Sequence, residues 1–176
     1  FEESSNLTKR FKYKYNSYGN FKKGINFLNT LGNYNEYTPP HVYLTPRILI
    51  EKSGMWNESL TNNDDAEFFA RVILNASKII FSSETSAYYR YSSTDKLSDL
   101  NSEEKVKSAI NSWKLIETYM KKEDFYENCK YVTAGKLILY NAIKNTYPEI
   151  VSDNLEFFKE KNHCFSSLKK LLKGIG

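Results

Sequence analysis

The chain has very few residues of the types that build disulfide frameworks or zinc sites. Its 176 residues include two cysteines, Cys129 and Cys164, and two histidines, His41 and His163. The cysteines are far apart, whereas disulfide-rich domains and zinc knuckles need several cysteines at short spacings. We expect free thiols in a reducing cytoplasm. Neither histidine has a partner at metal-ligand spacing, so we assign neither a role.

Long apolar segments and dense positive charge are also missing. No stretch approaches the roughly 20 apolar residues that a membrane-spanning helix needs, and the first residues lack the pattern of a secretory signal. The net charge of +4 is small beside the concentrated basic surface of a nucleic-acid-binding protein. We therefore expect a cytoplasmic protein without a nucleic-acid partner.

Aromatic residues are abundant, with 14 tyrosines and 11 phenylalanines. A tyrosine buries a large ring while its hydroxyl stays available for hydrogen bonds, so this composition suits both a core and a groove for polar, ring-shaped ligands. The chain begins at Phe1, directly in polar, strand-like material. We expect it to be part of a longer protein, with room for one domain and a small appendage.

The first hundred residues carry signals for both strands and helices. Alternation of aromatic and basic residues is typical of an edge strand, and proline and glycine mark the two ends of a short helix. Short apolar runs between turn residues indicate further strands. The predicted elements are an edge strand over 10–21, a loop over 30–46, a helix over 46–53, and strands over 78–81 and 87–92.

An acidic pair, Asp64 and Asp65, opens the next predicted helix, just after Asn62 and Asn63, one of which caps it. At helical spacing Asp65 lies on the apolar stripe, whereas Asp64 lies on the other side with Glu67 and Arg71, which are spaced for a surface ion pair. Two interpretations stay open. The pair is either a charged first turn that suits the helix dipole, or it places a carboxylate at a cleft where it takes a proton from a bound hydroxyl.

The residues from 101 to 176 have a different pattern, with a cap at Ser102 followed by apolar residues at helical spacing. They predict a small helical appendage. Its last part, 165–173, has apolar residues on one side and lysines offset from them. This segment is predicted either to pack on the appendage or to lie on an anionic membrane surface. Liposome binding by a chain that lacks 165–176 would separate the two.

The segment 46–93 resembles the C-terminal half of a family 2 glycosyltransferase of the GT-A fold. In that family Lys-x-Gly-x-Trp/Phe-x-Glu precedes an acidic pair, which is followed by an arginine, a strand and a Tyr-Arg strand. The corresponding residues here are Lys52, Gly54, Trp56, Glu58, the pair Asp64 and Asp65, Arg71, the run 78–81, and Tyr89 with Arg90.

The resemblance implies an α/β fold, with 1–100 as the acceptor-side half of a GT-A domain and 101–176 as the helical appendage. It implies that Asp65 is the general base of an inverting sugar transfer. Asp64 would help to bind the acceptor or hold the loop, and Trp56 would stack on a sugar face. Arg90 would lie near the donor phosphates, although Ser92 replaces the histidine that many relatives carry.

The resemblance also implies partners and a cofactor. These are a nucleotide-sugar donor, a glycan or lipid-linked acceptor in bacterial polysaccharide assembly, and Mg²⁺ or Mn²⁺ on the diphosphate. The chain has no Asp-x-Asp and no glycine-rich phosphate loop, so by itself it is predicted to be incomplete and inactive. We expect a cytoplasmic location, with peripheral contact at the inner face of the membrane through 165–173. The alternative is a non-catalytic module that binds a glycan or a protein.

Overall fold

The structure is a computed structural model that describes residues 15–85 and 98–159. This part of the chain is built from helices joined by loops and turns. The α-helices are α1 (Gly24–Tyr34), α2 (Arg47–Ser53), α3 (Asp64–Asn75), α4 (Glu103–Met120), α5 (Tyr131–Ile143), α6 (Pro148–Asp153) and α7 (Leu155–Phe158), with 3-10 turns at Pro40–Val42 and Tyr126–Asn128.

The prediction of an α/β GT-A fold is wrong for the described residues, which contain no sheet. Extended backbone pairs there at one isolated antiparallel bridge, where Phe21 and Ile79 exchange backbone hydrogen bonds of 2.9 and 2.8 Å. Ile80, the next residue of the predicted strand 78–81, is 63% exposed. A short apolar run becomes a strand only with a partner along its length and a layer to cover it. The predicted strand 87–92 and residues 10–14 lie outside the described residues.

Helix α1 is the main element that the sequence patterns did not predict. Part of it falls in the predicted loop 30–46, where glycine and asparagines favoured a loop. Gly32 has a packing role instead, because a Cβ there would lie 2.4 Å from the backbone nitrogen of Tyr131. Close contact between α1 and α5 therefore requires a residue without a side chain.

Four helices share the first hydrophobic core. Apolar residues of α1, α3, α4 and α5 meet there, so the core joins helices from both sides of residue 100. The division into 1–100 and 101–176 stays a prediction. The buried members are Ile25, Phe27, Leu28, Leu31, Ala70, Ile73, Ile116, Met120, Cys129 and Val132.

A second core lies between the first half of α4, the second half of α5, and helices α6 and α7. Its buried α4 residues follow the helical spacing predicted for that helix. The predicted cap is confirmed, since the Ser102 hydroxyl accepts a 3.3 Å hydrogen bond from the Lys105 N–H. The predicted helix over 46–53 is also confirmed as α2, although Pro46 occupies the cap position rather than the first turn. None of the described helices is both long and apolar enough to cross a membrane.

Candidate functional site

The start of α3 is held in place by two serines of α4. The Ser108 hydroxyl accepts backbone N–H bonds from Thr61 and Asn62, at 2.8 and 3.1 Å. The Ser112 hydroxyl donates to the Asn63 carbonyl at 2.7 Å and accepts from the Asn63 side chain at 2.8 Å. Asn63 has a left-handed backbone with φ of 56°. Its side chain was one of the two expected caps of α3 and instead binds α4, so contacts with α4 hold the residues before α3.

Asp65 projects from this anchored helix start and is held at both carboxylate oxygens. Its Oδ2 accepts a 2.9 Å hydrogen bond from the Tyr37 hydroxyl, and its Oδ1 accepts a 2.8 Å bond from the Ala66 N–H. A carboxylate has about four acceptor positions. Asp65 therefore keeps acceptor capacity for a ligand hydroxyl while its orientation is restrained.

Asp64 has different surroundings from its neighbour. Its Oδ2 accepts a 2.9 Å hydrogen bond from the indole Nε1–H of Trp56. The Trp56 ring stacks on Phe68, with ring centroids 4.6 Å apart and planes at 29°. One face of the indole is thus covered by protein. Asp64 ties the loop before α3 to the helix.

A cavity of about 310 Å³ lies beside Asp65 and not beside Trp56. We call it the Asp65 cavity. It passes between the residues that follow α1, the start of α3, and the facing sides of α4 and α5. Its lining includes Glu36, Tyr37, Thr38, Tyr43, Asn62, Asn63, Asp65, Phe69, Leu100, Ala109, Trp113, Tyr131, Ala134, Gly135, Ile138, Leu139 and Ala142.

Tyr43 and Tyr131, which line the cavity with Asp65, have raised pKa values because they are buried. Burial raises the pKa of Tyr43 to about 12, and the charge of Asp65 adds to the rise. Burial also raises the pKa of Tyr131 well above its usual range, with contributions from Tyr43, Asp65 and Tyr37. Electrostatic interactions are stronger in such surroundings than in water. Asp65 therefore lies between these two tyrosines and Tyr37, which is 62% exposed.

A buried ion pair fixes the loop that carries Trp56. The Arg71 guanidinium donates to both carboxylate oxygens of Glu67, at 2.7 and 3.0 Å, and to the carbonyls of Ser53, Gly54 and Met55. The predicted pairing of Glu67 with Arg71 is confirmed, but its predicted surface position is wrong. The Glu67 side chain is 1% exposed and that of Arg71 is 13% exposed.

The reason for this burial is that other elements cover the pair. The Tyr119 hydroxyl of α4 donates a 2.9 Å hydrogen bond to Glu67 Oε1, and the loop after α2 covers Arg71. Helical spacing within α3 cannot reveal such covering contacts. The pair thereby links three helices next to the acidic residues.

The structure brings together three of the four predicted site residues around the start of α3. Asp65 lines the cavity, while Asp64 and Trp56 contact each other on a neighbouring surface. Arg90 and the segment 165–173 lie outside the described residues. The sequence patterns did not identify Tyr37, Ser108 or Ser112. One sequence feature could have identified Ser108 and Ser112. They are polar residues four positions apart on a helix face that is otherwise apolar, which indicates buried hydrogen bonds.

The described residues do not fit the Mg²⁺ or Mn²⁺ that the resemblance implies. They contain no cluster of three or more histidine, cysteine, aspartate or glutamate side chains that could hold a metal ion. Asp64 is hydrogen-bonded to Trp56, and Asp65 to Tyr37. A divalent ion needs several oxygen ligands that converge on one point. We therefore derive no step through a metal.

Comparison of the chain with protein-family models, with curated proteins and with solved structures gave no match. The resemblance to family 2 glycosyltransferases stays a prediction that rests on the spacing of the residues named above.

Proposed function

We propose that this chain supplies the acceptor side and the general base of a glycosyltransferase that uses a nucleotide-sugar donor. The observation that carries the proposal is the position of Asp65, whose carboxylate lines a cavity and is oriented by Tyr37 and the Ala66 N–H. The proposal does not need a GT-A sheet. It needs a rigid carboxylate within reach of a bound hydroxyl, which is the geometric requirement for a general base.

The proposed reaction is a single displacement. The acceptor hydroxyl donates its hydrogen bond to Asp65, and its oxygen attacks the anomeric carbon of the donor sugar. The bond between that carbon and the diphosphate oxygen breaks, and the nucleoside diphosphate leaves with the electron pair. The proton passes to the Asp65 carboxylate. Attack from the face opposite the leaving group inverts the configuration.

Several described residues have separate roles in positioning Asp65 and the loop beside it. Ser108 and Ser112 hold the start of α3, and Tyr37 restrains the carboxylate. Asp64 and Trp56 hold the neighbouring loop through their hydrogen bond, and the exposed part of the indole offers a surface for a sugar ring. We place Arg90 near the donor phosphates on the resemblance alone. The pathway, bacterial surface-polysaccharide assembly at the cytoplasmic face of the membrane, has the same basis.

The test replaces Asp65 with asparagine in the protein as its source cell makes it. Transfer of labelled sugar is measured from UDP-glucose, UDP-N-acetylglucosamine and GDP-mannose, each in turn, to a glycan and lipid extract of that cell. Asp65→Asn should lower kcat by about 10² to 10⁴, since a positioned base contributes about that much. Circular dichroism should show an unchanged fold. Asp124→Asn, an exposed carboxylate outside the cavity lining, is the matched control and should retain activity.

The second candidate is a non-catalytic module that binds a glycan or a protein. The aromatic lining of the Asp65 cavity favours it, because such walls bind sugar rings and apolar groups without any reaction. Undiminished transfer by Asp65→Asn would refute the base assignment. Absence of transfer by the unaltered protein, together with ligand binding that Asp65→Asn leaves intact, would establish the binding module.

A further inference from the structure

The Asp65 cavity has two chemically different ends. Its polar groups come from the residues after α1 and from the start of α3, and they include Tyr37, Asn62 and Asp65. Tyr37 is 62% exposed, so this end faces solvent. The α4 and α5 walls of the cavity contribute mainly apolar side chains and glycine, and their polar side-chain groups are the Tyr131 hydroxyl and the Trp113 indole N–H.

One face of α5 lines the cavity from Tyr131 to Ala142. The lining residues Tyr131, Ala134, Ile138 and Ala142 recur at spacings of three and four, so they lie on one side of the helix. Helical rise of about 1.5 Å per residue puts roughly 16 Å between the first and the last of them. Asp65 lies toward the first residue of this face, because its neighbour Ala66 and Tyr131 both pack against the first hydrophobic core, whereas Leu139 belongs to the second.

The distant end of this face is apolar. Leu139 belongs to the second hydrophobic core together with Ala109, and Leu100 packs against the same core. These three residues also line the cavity, and Ile138 beside them is 58% exposed. A sugar bound along this surface would leave its hydroxyls without hydrogen-bond partners, which is costly once water is excluded. A hydrocarbon or aromatic group would gain by covering it.

We infer that the acceptor is amphiphilic, with the reacting hydroxyl at Asp65 and an apolar chain or ring system along α5 toward Ala142. This inference rests on the proposed function and specifies its acceptor class. It selects a hydroxyl compound with an apolar tail over a free glycan. Asp65 and Tyr37 hold the hydroxyl, and the apolar face of α5 supplies most of the affinity.

The test measures binding rather than transfer, with two probes that share a sugar and differ in the tail. These are octyl β-glucopyranoside, kept below its micelle concentration, and methyl β-glucopyranoside. Trp113 lines the cavity and Trp56 does not, and the chain has two tryptophans. In a Trp56→Phe background, indole fluorescence therefore reports on the cavity. The octyl probe should blue-shift Trp113 emission and bind at least about tenfold more tightly than the methyl probe.

Two matched variants show whether the tail lies in the cavity. Ile138→Asp places a carboxylate at the apolar end and should weaken octyl binding about tenfold or more. Ile48→Asp makes the same change on α2, where Ile48 is 76% exposed and outside the cavity lining, and should leave binding unchanged. Equal affinity for the two probes, no binding of the octyl probe, or equal weakening by both variants would each overturn the inference.

This outcome is separable from that of the proposed function. Equal binding of the octyl and methyl probes would refute the inference of an amphiphilic acceptor. It would not contradict the proposed role of Asp65. Retained sugar transfer by Asp65→Asn would refute the role of Asp65 as general base. It would not change the interpretation of the binding experiment.

Discussion

The buried pair of Glu67 and Arg71 predicts an unequal response to removal of its two members. With Arg71→Met, Glu67 loses both guanidinium bonds and keeps the Tyr119 hydroxyl at 2.9 Å, on a side chain that is 1% exposed. A buried charge left without its partner costs about 3–5 kcal/mol. The three carbonyls that Arg71 releases belong to the last residue of α2 and to Gly54 and Met55, which are exposed to water, so they add little.

Removal of the Glu67 charge should lower the free energy of unfolding by less than removal of Arg71. In Glu67→Gln the guanidinium keeps the carbonyls of Ser53, Gly54 and Met55 as acceptors, at 2.5, 2.9 and 3.0 Å. It also keeps contact with solvent, because the Arg71 side chain is 13% exposed. The loss is then that of charge-assisted hydrogen bonds, about 1–3 kcal/mol. Arg71→Met should therefore be the more destabilising of the two changes.

Urea unfolding followed by far-UV circular dichroism measures both free energies of unfolding. The double variant should cost less than the sum of the single changes, because the two groups interact directly. The exposed pair of Arg47 and Glu51 has the same helical spacing, with side chains 91% and 56% exposed, and provides the control. Arg47→Met should change stability by less than about 0.5 kcal/mol. An Arg71→Met loss no larger than that of Glu67→Gln or of the control would refute this reasoning.

Three further predictions concern the site and the core. Ser112→Ala should lower the free energy of unfolding in urea by about 1–2 kcal/mol, since the hydroxyl is fully buried and holds the residue before α3. Gly24→Ala should cost at least about 1–3 kcal/mol, because its Cβ would lie 1.9 Å from a backbone oxygen of α3, whereas Gly19→Ala, with 3.9 Å of room, should be tolerated. Burial pushes the pKa of Glu117 up, but the hydrogen bond and charge of Lys136, together with hydrogen bonds from Lys121 and Tyr126, outweigh burial and hold that pKa below 4.5. The unfolded chain then binds protons first as pH falls, so stability that is present above pH 4.5 is lost below it, and Glu117→Gln should lose that dependence in unfolding measured across this range.

Local signals predicted several helices well. Ser102 caps α4, and the apolar spacing after it marks the buried face, because capping and helical periodicity depend only on nearby residues. The helix that starts at Asp64 was expected for the same reason. For residues 15–85 and 98–159 the α/β class was wrong, because a strand depends on partners elsewhere in the chain. The run 78–81 has the composition of a strand, but Ile79 pairs with Phe21 at a single bridge.

Helical spacing in the sequence is sufficient to show that Asp65 lies on a different side of α3 from Asp64. The contacts of each carboxylate depend instead on how distant segments pack. Tyr37 reaches Asp65 from 28 positions away, and Ser112 reaches Asn63 from 49. These contacts depend on how α1 and α4 pack against α3. Packing of distant segments leaves no periodic signal in a single chain, and that packing shapes the cavity on which the proposed chemistry depends.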